Sequence, residues 1–226
     1  SDGPMSTHPS TSVTLAEDQS KALLSGFGVP FAPEAVVHSP ADAVSAAATI
    51  GYPVVVKLNG ERIAHKTERG LVKLNLGDAE AVTTAATTLL SAATPEDGDV
   101  SLLVAPMLSA TREFIAGIST DPQFGTTVVL GVGGVLTEAI ADVSIRLLPI
   151  TELDAQSMIN DLRSQPLLGE FRGEPAVDRH ALGAVLMALS DAAAATTHML
   201  SADLNPLMIV DGMPIAVDAL VEVRES

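Results

Sequence analysis

The sequence predicts an α+β protein that is divided into two lobes. Strand and helix patterns are mixed along the 226 residues instead of alternating strictly, which disfavours a doubly wound parallel sheet. The chain is 47% apolar and only 18% charged, as is typical of a globular protein with a sizeable core. Residues 94–99, which contain proline, glycine and acidic residues, are the best candidate for a linker.

Capping residues predict the helices, and short apolar runs bounded by turns predict the strands. Ser39 with Pro40 is a favourable start for a helix, and so is Asp78. Thr151 and Asp154 form a weak capping box. The predicted helices cover residues 15–27, 39–50, 78–92, the segment from 151, and 178–199. The predicted strands cover residues 35–37, 54–58, 71–76, 101–107, 112–119, 126–131, 206–210 and 213–221.

The charge balance and the absence of cysteine restrict the possible functions. The 28 acidic residues outnumber the 12 basic ones, and the net charge of −16 disfavours a nucleic-acid or anionic-membrane partner. No apolar run approaches the ~18–20 residues of a membrane span. The lack of cysteine excludes disulfides, cysteine-ligated metals and thiol catalysis, and is compatible with the cytoplasm, the location we expect. Residues 1–14 are expected to be a tag and a disordered start.

Basic residues are concentrated in one predicted strand–loop–strand unit. Of the four lysines in the chain, Lys57, Lys66 and Lys73 lie within 17 residues, together with Arg62 and Arg69. Such an excess in an acidic chain indicates an anion site, usually for phosphate, although a random cluster on an exposed hairpin explains the same composition. Because Lys57 ends an apolar strand, its ammonium group needs a partner, either a phosphate oxygen or a carboxylate.

A second candidate site follows from the predicted hairpin near the end of the chain. If residues 211–212 form a two-residue turn, Asn205 lies directly opposite Asp218. An amide oxygen and a carboxylate there could hold a hard cation such as Mg²⁺, which also accepts water and phosphate oxygens. Asp203 falls on the same face, whereas Pro214 restricts the second strand to an edge or a bulge. The alternative is a surface Asx turn at Asn205.

Several short motifs together resemble one family of proteins. Residues 51–57 (GYPVVVK) are similar to the phosphate-binding strand of ATP-grasp proteins. Residues 65–70 (HKTERG) resemble a loop of one branch, the NDP-forming acyl-CoA synthetases, also called ADP-forming acetate–CoA ligases. Further similarities to that branch lie at residues 121–125 (DPQFG), 131–138 (GVGGVLTE), 166–173 (PLLGEFRG), 203–207 (DLNPL) and 217–219 (VDA).

The resemblance implies an ATP-grasp fold, in which ATP or ADP lies with Mg²⁺ between two lobes. Residues 29–105 would form the lid lobe, and residues 15–28 and 106–226 the main lobe with the metal hairpin. The resemblance also implies the β subunit of an enzyme that interconverts acyl-CoA, ADP and phosphate with carboxylate, CoA and ATP through a phosphohistidine. A separate CoA-binding, CoA-ligase α subunit, in an α2β2 heterotetramer, would carry the acyl chemistry.

The resemblance also gives roles to individual residues. Lys57 and Lys66 would contact the nucleotide phosphates, Glu113 would contact the nucleotide, and Asn205 and Asp218 would hold Mg²⁺. His65 would be a second phosphate carrier, because a neutral imidazole is a competent nucleophile near pH 7. The alternative for His65 is a hydrogen bond that only orders its loop.

Two residues depart from the family pattern. Pro106 occupies the hinge that normally offers backbone groups to the adenine, and proline has no N–H to donate. Leu71 replaces the second glycine of the phosphate loop, which limits close backbone approach. Both departures favour a second hypothesis, a non-catalytic partner or regulatory subunit with weakened nucleotide binding. A third, an ATP-grasp ligase that joins a carboxylate to an amine, fits the fold but not the motifs at residues 65–68 and 121–125.

Overall fold

The computed structural model describes residues 11–63, 66–134 and 137–225. Within these ranges the chain forms two antiparallel sheets with helices packed against them, which confirms the predicted α+β class. The helices are α1 (Glu17–Ser25), α2 (Pro40–Ile50), α3 (Ala79–Ala92), α4 (Thr137–Ile140), α5 (Glu152–Asp161) and α6 (Arg179–Ala195). The strands are β1 (Ser12–Thr14), β2 (Ala35–Val37), β3 (Val54–Asn59), β4 (Val72–Leu76), β5 (Ser101–Pro106), β6 (Glu113–Asp121), β7 (Gly125–Val132), β8 (Val143–Leu147), β9 (Met199–Val210), β10 (Met213–Ala216) and β11 (Ala219–Arg224).

The larger sheet has seven strands in the order β1-β11-β9-β6-β7-β8, with β10 also paired to β9. Helices α1, α5 and α6 cover one face of this sheet. Phe114 and Leu130 from the strands pack there with Met158 and Leu186 from the helices, all of them fully buried. Burial of each such side chain contributes about 1.5–3 kcal/mol, so this face supplies the main core.

The smaller sheet has the order β2-β5-β3-β4 and packs against α2 and α3. All six residues of β3 are buried, because both faces of this central strand are covered. Val54 and Val56 pack in the core under the helices. Side chains alternate along a strand, so Val55 and Lys57 point to the opposite face, where both line a cleft against the larger sheet. The strand thereby presents a lysine to the space between the sheets.

The helix starts that the sequence predicts are confirmed. Ser39 and Asp78 each accept a hydrogen bond from the backbone N–H three residues later, at 3.1 Å and 2.8 Å. Thr151 and Asp154 form a reciprocal capping box at the start of α5. Each N-cap contributes about 0.5–2 kcal/mol to the stability of its helix. In the described ranges, none of the helices is long and apolar enough to cross a membrane.

The turn that the sequence predicts at residues 211–212 is also confirmed. Val210 pairs with Met213, and the antiparallel register runs on from there through β9 and β10. Asp211 and Gly212 have φ values of 50° and 80°. Positive φ at both central residues is what a type I′ turn requires, and this turn matches the twist of the flanking strands. The turn therefore fixes which residues of β9 and β10 face each other.

The same register continues beyond the hairpin into β11. Ala219 pairs with Leu204, and the backbone N–H of Val217 donates to the carbonyl of Pro206 at 3.1 Å. These contacts bring residues 205 and 218 opposite each other, where the chain passes from β10 to β11. The hairpin geometry on which the predicted metal site depends is thus present.

Several segments differ from the elements that the sequence predicts, among them the predicted strand 213–221, which is divided into β10 and β11. Residues 12–14, assigned to a disordered start, instead form β1 and pair with β11. Residues 143–147 form β8, an edge strand that the pattern did not reveal because its exposed face is apolar. The predicted helix 178–199 ends at Ala195, and β9 begins at Met199, well before the predicted position 206. Pairing of β9 with β6 and β11 outweighs the local helical preference there.

The boundaries of the two lobes also shift. The smaller sheet lies within residues 35–106, so Pro106 belongs to it. Val29, at the predicted start of the lid lobe, is part of the core of the larger sheet, and Phe31 packs against that core. The segment that leads to β2 is therefore anchored on the larger sheet.

Candidate active site

The two sheets enclose a cleft that has an apolar part and a polar part. The apolar part has a volume of about 240 Å³ and is lined by both sheets, including Val55, Leu74, Ala105, Met107, Met208 and Ala216. The polar part has a volume of about 160 Å³, and Glu17, Lys66, Asp203 and Asn205 line it. Thr67, Val72 and Asp218 line both parts, so the two parts adjoin.

Lys57 lies at the junction of the sheets with its side chain almost fully buried. Its Nζ lies 3.2 Å from Oε2 of Glu17 and also contacts the carboxylate of Asp218. Burial alone would lower the pKa of Lys57, but the two carboxylates outweigh burial and raise that pKa above its ordinary value. Lys57 is therefore a fixed positive charge inside the cleft.

Glu17 is the acidic centre of this cluster. It is the first residue of α1, and its buried carboxylate contacts Lys21 at 3.1 Å, Lys57 at 3.2 Å and Lys66 at 2.9 Å. Burial by itself would raise the pKa of Glu17, but the three lysines reverse that effect and lower the pKa to about 2. The carboxylate is therefore ionised at neutral pH and holds lysines from different segments together.

The other two lysines of the cluster have different environments. The pKa of Lys66 is lowered, because burial and the like charge of Lys57 together outweigh the attraction of Glu17. Lys21 also contacts Glu34 at 2.6 Å, and both of these residues line the apolar part of the cleft. The positive charge of Lys66 is thus held less firmly than that of Lys57.

Oxygen donors gather in the polar part opposite Lys66. Asp203 and Asn205 come from β9, and Asp218 follows β10. Burial raises the pKa of Asp203, and the nearby carboxylate of Asp218 adds to the effect. A cation placed between these residues would relieve that repulsion. The carboxylate of Asp218 is already paired with Lys57, so the same carboxylate both contacts a lysine and lines the polar part.

These donors fit a hard cation that keeps part of its own coordination shell. Across the described ranges, no group of three or more histidine, aspartate or glutamate side chains converges in a way suited to a metal. Mg²⁺ typically takes one or two protein carboxylates and completes its shell with water and phosphate oxygens. Two carboxylates and one amide match that mode, and do not match a site built from protein ligands alone.

Glu113 is not brought together with the other predicted site residues. It starts β6 and pairs with Met208, whose side chain lines the apolar part. Its carbonyl accepts a hydrogen bond from Gly133 at 2.8 Å, and a Cβ on Gly134 would lie 3.7 Å from its carboxylate. Glu113 therefore lies beside the glycine loop, and its cross-strand partner Met208 lines the cleft. Its contact with a nucleotide stays a prediction.

The two departures from the family pattern have different structural consequences. Pro106 lines the apolar part, and the N–H of the next residue, Met107, donates to the carbonyl of Pro53 at 3.0 Å. Leu71 is buried in the core of the smaller sheet, and its N–H donates to the carbonyl of Lys66 at 2.8 Å. Leu71 therefore faces the core, while in the hinge Pro106 has no N–H and the N–H of Met107 is already bonded.

The sequence reasoning missed Glu17 and the charge cluster around it. The spacing of Glu17 and Lys21 is typical of an ion pair on one helix, which by itself indicates an exposed helix surface. The contacts of Glu17 with Lys57 and Lys66 span 40 and 49 residues and depend on how the sheets pack. His65 lies outside the described residues, so its predicted role stays a prediction.

Comparison with known proteins gives extensive matches. The family model of the ATP-grasp domain matches residues 8–223. The β subunit of ADP-forming acetate–CoA ligase I from Pyrococcus furiosus is 35% identical over 208 residues, covering 91% of this chain and 90% of that protein. The ADP-forming 4-hydroxybutyrate–CoA ligase of Nitrosopumilus maritimus is 32% identical over 200 residues, covering 87% of this chain but 29% of that longer protein.

Solved structures match over nearly the whole chain. PH1788 from Pyrococcus horikoshii superposes with a TM-score of 0.86 at 32% identity, covering 95% of this chain and 93% of that one. Acetyl-coenzyme A synthetase 1 of Candidatus Korarchaeum cryptofilum, in complex with coenzyme A and Ca-AMPCP, has a TM-score of 0.85 at 32% identity, covering 94% of both chains. The same enzyme with coenzyme A and Mg-AMPPCP has a TM-score of 0.79 at 33% identity, covering 93% of both, and its phosphohistidine segment points towards the nucleotide-binding site.

A cleft between two sheets that joins an apolar cavity to buried lysines and oxygen donors is the layout of a nucleotide-binding protein. With the match over residues 8–223, this chain belongs to the ATP-grasp domain family. Within that family it is homologous to the β subunits of ADP-forming acetate–CoA ligases, which confirms the resemblance seen in the sequence motifs.

Proposed function

We propose that this chain is the nucleotide-binding β subunit of an ADP-forming acyl-CoA ligase, and that it transfers phosphate between ADP or ATP and a phosphohistidine. The proposal depends on one observation: Lys66 lines the polar part together with Asp203, Asn205 and Asp218, and Lys57, which lines the adjoining apolar cavity, contacts Asp218. Positive charge that is fixed before the substrate binds stabilises a transferring phosphoryl group. The names of the relatives, and the nucleotide analogues in the similar structures, support the proposal.

Each part of the cleft has a role in this proposal. The apolar part takes the base, and Lys57 and Lys66 bind the phosphates. Asn205 and Asp218 hold Mg²⁺, which neutralises phosphate charge when it is bound. Glu113 contacts the nucleotide on the side of the glycine loop. Of these residues, Lys57, Lys66, Asn205 and Asp218 line the cleft, whereas Glu113 starts β6 and lies beside the glycine loop.

His65 is assigned the role of phosphate carrier. In the direction of ATP synthesis, the bond between the phosphorus and the imidazole nitrogen of phospho-His65 breaks as a β-phosphate oxygen of ADP attacks. The imidazole keeps the electron pair of that bond and, with a proton on its other ring nitrogen, leaves as neutral imidazole while ATP forms. Lysine charge beside the transferring group, from Lys57 and Lys66, would stabilise the charge on its oxygens. The carry-over from the family motif at residues 65–70 supports this assignment.

The partner in this proposal is a CoA-binding, CoA-ligase α subunit. Relatives of similar length are named as β subunits, whereas longer relatives match this chain over only 29% of their length. The remaining part of those longer proteins is where the CoA and acyl chemistry would lie. An α2β2 heterotetramer and a cytoplasmic location complete the proposal.

Binding of Mg·ADP and Mg·ATP to the chain tests this function. We expect either complex to raise the melting temperature, because a ligand that binds only the folded state stabilises it, by about 2.7 kcal/mol at a hundredfold excess over Kd. Lys57→Met should remove most of that rise. Lys73→Met is the matched control, since Lys73 lies in the same basic segment but lines a different surface groove. Full stabilisation of Lys57→Met would exclude Lys57 from the site.

A non-catalytic partner subunit is the second candidate function, and the hinge favours it. Pro106 has no N–H, and the N–H of Met107 is already bonded to Pro53. Adenine would therefore lack two backbone donors that a hinge can offer. Titration calorimetry of the wild-type chain separates the candidates: heat of binding with Mg·ADP supports the enzyme subunit, and no binding at millimolar nucleotide supports the non-catalytic subunit.

A further inference from the structure

We infer that Asp218 has a second role in the empty cleft. Its carboxylate forms an ion pair with the ammonium group of Lys57, and this ion pair makes the cleft select a nucleotide–metal complex over free nucleotide. The inference rests on the proposed function. It concerns the selection of substrate form by an ion pair within the chain, which the assignment of Asp218 as a metal ligand does not include.

The position of Asp218 is the first support. It is one of three residues that line both parts of the cleft, and the only charged one among them within the described ranges. Its carboxylate contacts the ammonium group of Lys57. The side chain of Asp218 is 45% exposed, whereas that of Lys57 is 6% exposed. Asp218 can therefore turn away from Lys57 into the cleft, while Lys57 stays in place.

The second support is that Lys57 has another carboxylate to hold it. Glu17 contacts Lys57 from the buried side at 3.2 Å and is itself fixed by Lys21 and Lys66. When Asp218 leaves, Lys57 keeps one buried partner and its orientation. The two carboxylates are thus unequal, because Glu17 anchors the lysine and Asp218 is the partner that can be exchanged.

The charges determine which ligand the cleft accepts. A free nucleoside diphosphate would displace Asp218 from Lys57 and would then lie beside an unpaired carboxylate, and these like charges repel at close range. A nucleotide that arrives with a divalent cation gives both groups a new partner. A phosphate oxygen then pairs with Lys57 and the cation pairs with Asp218, so neither of these two groups is left unpaired.

The affinity for ADP measured without metal, in EDTA, tests this inference. Asp218→Asn should raise that affinity about tenfold, because it frees Lys57 and removes the repelling charge. The same change should remove the gain in affinity that Mg²⁺ brings to the wild type. Asp203→Asn is the matched control: Asp203 lines the polar part but makes no ion pair with Lys57 in the described structure. Its affinity for metal-free ADP should change less.

A double-mutant cycle separates the ion pair from a general effect of charge. In a Lys57→Met background, Asp218→Asn should raise the affinity for metal-free ADP much less than it does in the wild type, because no lysine is left to be freed and only the removal of the repelling charge remains. An equal rise in that background, or no rise in Asp218→Asn alone, would overturn the inference. Asp218→Ala repeats the measurement should the asparagine variant unfold. Failure of the wild type to bind Mg·ADP would contradict the proposed function itself.

Discussion

At the scale of single residues, Glu17 determines the electrostatics of the cleft. Three ammonium groups lie within 3.2 Å of its carboxylate, although the side chain is almost fully buried. An ionised carboxylate in such a place is stable only because the lysines compensate for the lost hydration. Each of those lysines in turn depends on Glu17, so the cluster behaves as one unit.

The depressed pKa of Glu17 predicts how stability depends on pH. Its pKa falls from 4.5 to about 2 on folding, so its stabilising contribution is complete above pH 4.5 and is lost as the pH falls toward 2. A shift of this size corresponds to roughly 3 kcal/mol. We expect Glu17→Gln to lower the free energy of unfolding at pH 7 by a similar amount, because it leaves buried lysines uncompensated.

Urea unfolding at a series of pH values checks this prediction. The wild type should lose more stability than Glu17→Gln between pH 4.5 and pH 2, since only the wild type has this carboxylate to protonate. Equal losses in the two proteins would show that the ion pairs of Glu17 contribute nothing to stability in acid.

At the scale of elements, the hairpin of β9 and β10 sets the geometry of the oxygen donors. Gly212 has a φ of 80°, and a Cβ there would lie 2.6 Å from the carbonyl oxygen of Ala176. Its own carbonyl accepts a hydrogen bond from Asp178 at 2.8 Å, which ties the turn to the start of α6. Position 212 therefore has no room for a side chain.

We predict that Gly212→Ala lowers the free energy of unfolding by more than about 1 kcal/mol, because alanine is strained at positive φ and collides with the neighbouring backbone. Metal-dependent binding of ADP should weaken as well, since the turn aligns Asn205 with Asp218. Gly77→Ala is the control, as no atom lies within 4 Å of its added Cβ. Urea unfolding and titration with Mg·ADP measure both effects. A Gly212→Ala protein as stable as Gly77→Ala would contradict the prediction.

Elements that local rules determine were predictable from the sequence, and those that depend on distant pairing were not. The helix starts at Ser39 and Asp78, and the turn at residues 211–212, follow from capping and turn preferences. Strand β8 was missed because Val143, Ile145 and Leu147 point away from the core and are 44–59% exposed, so the apolar pattern indicates the wrong face.

The candidate site likewise has features that were predictable from the sequence and one that was not. The register of one hairpin was enough to predict that Asn205 and Asp218 face each other, and the apolar run of β3 was enough to predict that Lys57 needs a partner. The identity of that partner was not predictable. Glu17 reaches Lys57 only because the first residues of α1, which packs on the larger sheet, contact β3 of the smaller one through their side chains.

At the scale of the whole molecule, the charge cluster joins two separately packed halves. The larger and smaller sheets have distinct cores, and Lys57 of the smaller sheet pairs with Asp218 of the larger one. A nucleotide in the cleft would touch both halves at once.

The final prediction is that the chain forms ATP from acyl-CoA, ADP and phosphate only together with a CoA-ligase subunit. This chain matches just 29% of the longer 4-hydroxybutyrate–CoA ligase, and in the proposed function a partner subunit supplies the CoA and acyl chemistry. In the mixture, His65→Ala should abolish most turnover but leave binding of Mg·ADP unchanged, because a phosphate carrier acts in the chemical step. His180→Ala, on α6, is the control and should keep its turnover. Labelled phosphate should appear on the wild-type chain as an acid-labile, base-stable adduct that His65→Ala lacks. Near-normal turnover of His65→Ala would reassign His65 to loop structure and leave only the nucleotide site in place.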